Sequence, residues 1–249
     1  MSYTFYQNTG GSYRFIIDNV LGLGCVGFRR LNMSVGKVAR QILGEKFKTI
    51  GRLYRSLFVN LRQVSISISP YIPNNSLVLD IGGGDGEPLN YLLSLREDIK
   101  VIIIDPNKSI GGFIDEVFAS RVQLLPGVRI DDYSAFTYQV PDVILISDVI
   151  HHIPSNSRSV FFTELKKLIV NRKKNIQLII KDIEPGSFRS HLSKFSDRFI
   201  SGDKSVSLIK CSDLKTILFD LFKNSITIND TDLFELDRPN YAIVVTYKQ

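Results

Sequence analysis

A run of glycines framed by acids is the first place in this chain where residue types and spacing could do chemistry. Asp80-Ile81-Gly82-Gly83-Gly84-Asp85-Gly86 follows the apolar run Leu77-Val78-Leu79. Glycines let the backbone turn tightly and let a ligand approach it with no Cβ in the way. The spacing is not a dinucleotide fingerprint, because Glu87 and Pro88 stand where the pattern would continue to its third glycine. Two carboxylates, Asp80 and Asp85, would repel a pyrophosphate and would suit a ligand that carries a cationic group. One apolar run later comes Asp105, and a carboxylate at that place accepts both hydroxyls of a ribose. Glycine loop and ribose acid together imply an adenosine-containing ligand. Further polar residues close the later apolar runs: Asp131 or Asp132, Ser147-Asp148 with His151-His152 just beyond, and Lys181-Asp182.

These residues need elements to hold them at one edge. Leu77-Val78-Leu79, Val101 to Ile104, Val143 to Ile146 and Ile176 to Ile180 are short continuous apolar runs, which suit strands buried on both faces. A further strand is expected at Val122–Leu125 or Val128–Ile130. Helical stretches are expected over Pro88–Leu95, Val160–Val170 and Leu214–Leu221, with two closing strands at Ser225–Ile228 and Tyr241–Thr246. The closing strands leave no room for a helix between them, so one should run antiparallel. Alternating strands and helices predict a doubly wound α/β fold with a mostly parallel seven-stranded sheet over residues 71–249. In such sheets ligands sit beyond the carboxyl ends of the strands.

With those motifs in view, the chain resembles the class I S-adenosylmethionine-dependent methyltransferases, and among them the small-molecule members with a D-x-x-H-H segment. Val78 to Gly86 is similar to their first motif, Ile104-Asp105-Pro106 to the second, Asp142 to Ile153 to the fourth-strand segment, and Ile179-Ile180-Lys181-Asp182 to the fifth strand. The resemblance covers about residues 71–249. It implies the cofactor S-adenosyl-L-methionine. Asp80 would hold the methionine amino group, and the backbone at Gly82 and Gly84 would pass beneath the cofactor. Asp105 would take the ribose hydroxyls and Asp131 the adenine amino group, with Asp132 nearly as well placed. Ser147 and Asp148 would border the methionine moiety and the substrate. Gly83 departs from many members, which carry another small residue there.

Methyl transfer from a sulfonium asks mainly for alignment and exclusion of water. An alcohol or phenol acceptor must also lose its proton, and histidine suits that task near neutral pH. The expected catalytic residues are therefore His152 first and His151 second, with His191 a further candidate. No metal is expected, since the chain offers no Cys/His ligand cluster. A competing enzyme reading is an RNA 2′-O-methyltransferase built on Asp148 and Lys181, with Glu235 completing the set and Arg62 as its nearest counterpart to the missing first lysine. A third reading keeps the fold as a non-catalytic binding module, whose sign would be loss of Asp105 or the glycines; both are present.

Charge is unevenly spread. Residues 1–70 carry ten Lys or Arg against two acids, a net +8, while the rest of the chain sums to −2. From Val35 to Ser65 apolar residues recur at helical spacing between the basic ones, so residues 1–70 are expected to form a basic helical cap over the acceptor pocket. The insertion 184–210 is expected to complete that cover. The acceptor expected is a small molecule, anionic or lipid- or saccharide-linked. Nucleic acid is disfavoured because the aromatics Phe47, Tyr54 and Phe58 fall with the apolar set. No stretch reaches the length of a membrane span, which leaves peripheral membrane contact as the only membrane role expected. Cys25 and Cys211 lie far apart with neither zinc nor redox spacing, and the expected compartment is the cytoplasm.

Overall fold

A computed structural model describes residues 3–7, 13–17, 59–135, 139–171, 174–187, 206–237 and 239–248. In chain order the elements are strands β1 (Tyr3–Gln7) and β2 (Tyr13–Ile17), helix α1 (Leu61–Ile68), β3 (Leu77–Ile81), α2 (Glu87–Leu95), β4 (Lys100–Asp105), β5 (Val122–Pro126) and α3 (Ile130–Ala135). They continue with β6 (Val143–Ser147), α4 (Arg158–Val170), β7 (Ile176–Ile183), α5 (Cys211–Phe222), β8 (Ile226–Asp230), α6 (Leu233–Leu236) and β9 (Asn240–Tyr247). The main sheet has seven strands in the order β5-β4-β3-β6-β7-β9-β8. Strands β3 to β7 pair in parallel, whereas β9 is antiparallel to both β7 and β8. The doubly wound, mostly parallel sheet is as the sequence predicts.

Apolar side chains alternate between two covered faces. Leu79, Ile144, Ile146, Leu178 and Ile180 pack against Phe162 and Leu165 of α4 and Leu214 and Leu218 of α5. Val78, Val101, Ile103, Leu145 and Ile179 pack against Val64 and Ile68 of α1 and Leu89, Leu92 and Leu93 of α2. Both faces of the central strands are thus dry, which is why their sequences read as unbroken apolar runs. Asp142 joins three strand starts: its Oδ2 accepts the Leu77 N–H at 2.9 Å, and its backbone carbonyl accepts the Gln177 N–H at 3.0 Å.

Several local expectations shift. The third strand is the first of the two alternatives, and Ile130 with Asp131 and Asp132 opens a helix instead. A single helical turn, α6, does fit between β8 and β9, because four residues are enough for one turn. Helix α1, capped by the Asn60 side chain, packs into the sheet domain although it precedes the boundary at residue 70. Its Asn60 N–H also donates to Asp237 Oδ2 at 2.7 Å. Near the amino terminus β1 and β2 pair as an antiparallel hairpin, an element absent from the helical reading. The rest of the expected cap, residues 18–58, and the core of the insertion, residues 188–205 with His191, lie outside the described residues. Among the described residues no helix is long and apolar enough to cross a membrane.

Candidate active site

The glycine loop leaves β3 and is fastened at once to β4. The Gly82 N–H donates to the Ile104 carbonyl at 2.7 Å, and the Gly84 N–H donates to Asp105 Oδ2 at 3.1 Å. Gly82 has φ +75°, and a Cβ there would stand 2.7 Å from Val149 Cγ2. Gly84, at φ +53°, is different: the nearest atom to its imagined Cβ is the Gly82 carbonyl oxygen at 3.9 Å, so the space above it is open. That opening is a backbone cradle which a side chain would fill. Gly86 adopts the left-handed conformation that starts α2, with Pro88 in its first turn.

Two acids lie under and beside this loop. Asp80 is 4% exposed, and a Cβ on Gly83 would come within 2.2 Å of its Oδ2. Among the described residues no donor reaches the Asp80 carboxylate. Burial, and then the neighbouring charge of Asp105, push its pKa up to about 7. A small cavity links Asp80 and Ser147 to Ser65 and Ile68 of α1 and Leu89 of α2. Asp105, also buried, accepts at Oδ1 from both the backbone and the side-chain amide of Asn107 at 2.8 Å. Its donors keep the carboxylate fixed at the end of β4.

The second half of the site comes from the ends of β6 and β7. Ser147, half-buried, lies in register with Lys181. Asp148 follows with φ +58°, unusual for a residue with a Cβ, and its N–H donates to the Lys181 carbonyl at 3.0 Å. The Lys181 ammonium meets both Asp148 oxygens, at 2.6 and 2.7 Å. Burial pushes the Asp148 carboxyl up, but Lys181, helped by His151, outweighs it and holds the group below its ordinary value. Asp182, fully buried, points to the other face of the sheet, as strand alternation requires. Its Oδ1 lies 2.6 Å from His151 Nδ1 and accepts the Ile183 N–H at 2.8 Å, while Oδ2 accepts the His151 N–H at 3.3 Å. A carboxylate accepting on both oxygens assigns the hydrogen to His151 Nδ1.

His151 and His152 occupy a single 3-10 turn, Ile150–His152. His151 is 2% exposed and its carbonyl accepts the Ser207 N–H at 2.8 Å. His152 is half-buried, with its ring centroid 4.2 Å from that of His151 and the planes at 43°. Ligand atoms of Asp148, His151 and Asp182 lie within 4.8 Å of one another. Each is engaged by protein groups, so the cluster reads as a hydrogen-bonded network.

Other sequence candidates lie further out. Asp131 stands in the first turn of α3, 53% exposed, with Oδ1 3.2 Å from Arg129 Nε. Asp132 accepts the Arg129 N–H at 3.1 Å. Of the set weighed for RNA chemistry, Asp148 and Lys181 touch, while Glu235 on α6 and Arg62 on α1 are exposed. Two contacts are not foreseen from the sequence: Asn107 clamps Asp105, and Asp182, noted there only as a strand-end acid, clamps His151. The signal for the second was present, since adjacent residues at a strand end must face opposite sides.

No protein-family model and no curated protein matches the sequence. Solved structures do match at the level of fold. A SAM-dependent methyltransferase from Archaeoglobus fulgidus is 18% identical with a TM-score of 0.55, covering 78% of this chain and 98% of its own. The mitomycin 7-O-methyltransferase MmcR is 16% identical with a TM-score of 0.56 over 88% of this chain, which spans 62% of that enzyme's length. The 1,6-didemethyltoxoflavin-N1-methyltransferase of Burkholderia thailandensis, solved with 1,6-didemethyltoxoflavin and S-adenosylhomocysteine, is 12% identical with a TM-score of 0.56. It covers 98% of this chain and 99% of its own. At these identities the likeness is one of fold.

Proposed function

We propose that the chain is an S-adenosylmethionine-dependent methyltransferase that methylates a hydroxyl oxygen on a small-molecule or lipid- or saccharide-linked acceptor. The observation that carries the reading is the buried Asp80 carboxylate, reached by no donor among the described residues, beneath an open glycine cradle and beside a fixed second acid. An anion so placed calls for a cation, and the α-ammonium of a methionine moiety is one. In this assignment Asp80 holds that ammonium, and the backbone from Gly82 to Gly84 lies under the cofactor. Asp105 takes the ribose hydroxyls, Asp131 the adenine amino group, and Ser147 and Asp148 border the methionine chain. When bound, the cofactor supplies an electrophilic methyl group on a sulfonium.

The protein's own part is to place the acceptor, exclude water and take a proton. For that last step the geometry supports His151 better than His152, the first choice from sequence. His151 is the ring that Asp182 holds in one orientation with its Nδ1 hydrogen assigned. An oriented imidazole can accept the hydroxyl proton as the oxygen attacks, and the Asp182 carboxylate stabilises the imidazolium that results. His152 flanks it and shapes the turn. No metal enters this scheme, so activity should survive a chelator; loss restored by magnesium would count against it.

RNA 2′-O-methylation is the second reading, favoured by the direct contact of Asp148 with Lys181. Against it, Lys181 is 1% exposed and both Asp148 oxygens already face its ammonium. Transfer of labelled methyl groups from S-adenosylmethionine, offered to phenols, hydroxylated lipids, saccharides and short RNAs, separates the readings. A hydroxylated small molecule labelled by wild type and not by His151→Ala supports the first. Labelled ribose in RNA would replace it with the second.

A further inference from the structure

Lys181 is the only Lys or Arg among the buried residues described, and the small-molecule methyl-transfer reading gives it no role. Taking an ammonium out of water is costly, and an apolar residue of similar size often serves stability as well. The charge is therefore informative about what it faces. It faces Asp148, with both carboxylate oxygens within 2.7 Å. Asp148 in turn lies in the same compact cluster as His151 and Asp182.

The electrostatics of His151 follow from who surrounds it. Asp182, from β7, meets its Nδ1. Asp148, from the end of β6, is the second carboxylate. His152 is its neighbour in the turn. From β9, Tyr241 stands in register with Asp182 and gives its hydroxyl hydrogen to the Ile209 carbonyl. From α4, the Arg158 guanidinium is spent on the carbonyls of Ile153 and Ser207. Glu184 is taken up by the Cys211 N–H at the start of α5. Two carboxylates beside one imidazole would hold it protonated, and a protonated ring cannot accept a proton from an acceptor hydroxyl.

We propose that Lys181 tunes the basicity of His151 by neutralising Asp148, leaving Asp182, among the described residues, as the uncompensated carboxylate beside the ring. Lys181 is thus a positioning and charge-setting residue that acts through Asp148 and touches neither cofactor nor acceptor. Two consecutive side chains near the end of β7 divide the work by strand alternation. Asp182, on one face, orients the ring, and Lys181, on the other, cancels the second carboxylate. The proposal rests on the methyl-transfer reading for its purpose, but not for its measurement.

The test is an NMR titration of the histidine ring protons in the full chain, with signals assigned from single His→Gln variants. Lys181→Met should raise the pKa of His151 by about one unit, a tenfold change in proton affinity. Asp148→Asn should lower it, because the ammonium is then left uncompensated. The double variant Lys181→Met/Asp148→Asn should return it to within a few tenths of wild type. Shifts of opposite sign that cancel in the double variant are not produced by loosened packing. If Lys181→Met fails to fold, Asp148→Asn and the double variant still decide the sign. An unchanged His151 titration in Asp148→Asn, or a double variant that does not return toward wild type, overturns the proposal. Shifts as expected in a protein that transfers no methyl group would leave the tuning in place and remove the enzymatic reading.

Discussion

Burial keeps the Asp80 carboxyl protonated up to about pH 7, well above the usual carboxylate range near 4, and this has two consequences of opposite sign. In the free protein the unfolded chain ionises Asp80 from about pH 4 upward while the folded chain does not. Folding stability from this group therefore falls as pH rises from about 4 to 7, by at most about 1.4 kcal/mol per unit, and is level above that. A bound ammonium favours the ionised form, so S-adenosylmethionine affinity should rise from pH 6 to pH 8 and then flatten. Calorimetry across that range checks it, and Asp80→Asn should bind weakly with no such slope. For Asp105, substitution by Ala should weaken binding by about 1–3 kcal/mol, the cost of hydroxyls losing a charged acceptor. The site acids were legible because each ends an apolar run. The partners of Asp105 and His151 were not, since a hydrogen bond between residues such as His151 and Asp182 depends on which strands are neighbours, and sequence order does not give that.

At the scale of elements, the loop from Gly82 to Gly86 joins a strand, a helix and a ligand cradle, and its glycines are not equivalent. Gly84→Ala places a Cβ in open space at φ +53°, so strain should cost stability only about 1 kcal/mol. The same methyl group stands in the cradle, so binding of S-adenosylhomocysteine should weaken by more than tenfold. Thermal melts alongside calorimetry separate the two, and equal losses in both would deny that the cradle holds a ligand. The strands were readable from residues such as Val143 to Ile146, because dryness on both faces leaves no polar position. The place of Asp131 was harder: Val128 to Ile130 is apolar enough for a strand, yet β5 ends at Pro126 and a helix begins at Ile130. The hairpin of β1 and β2 lies outside the helical reading of residues 1–70, because the spacing that carries that reading begins only at Val35.

For the whole molecule, the question is what the basic amino-terminal segment does for the sheet domain. The proposal is a cap that helps to bind the acceptor, its charge suited to an anionic one. A truncation that tests it must keep α1, because Val64, Ile68 and Ile72 are buried in the core on the face that carries Asp80. Removing residues 1–58 should abolish methyl transfer while leaving S-adenosylmethionine affinity within about tenfold, or 1.4 kcal/mol. Normal transfer by the truncated protein, together with lost sedimentation on anionic vesicles, would replace the cap with a docking role. All of this stands on one claim, that the glycine cradle with Asp80 and Asp105 is a site for S-adenosylmethionine. Isothermal titration of the full chain with S-adenosylmethionine, S-adenosylhomocysteine and NAD tests it most directly. Micromolar binding of the first two, weakened together by Asp105→Ala, with no heat from NAD, is the expected result. Tight binding of NAD with none of S-adenosylmethionine would contradict it.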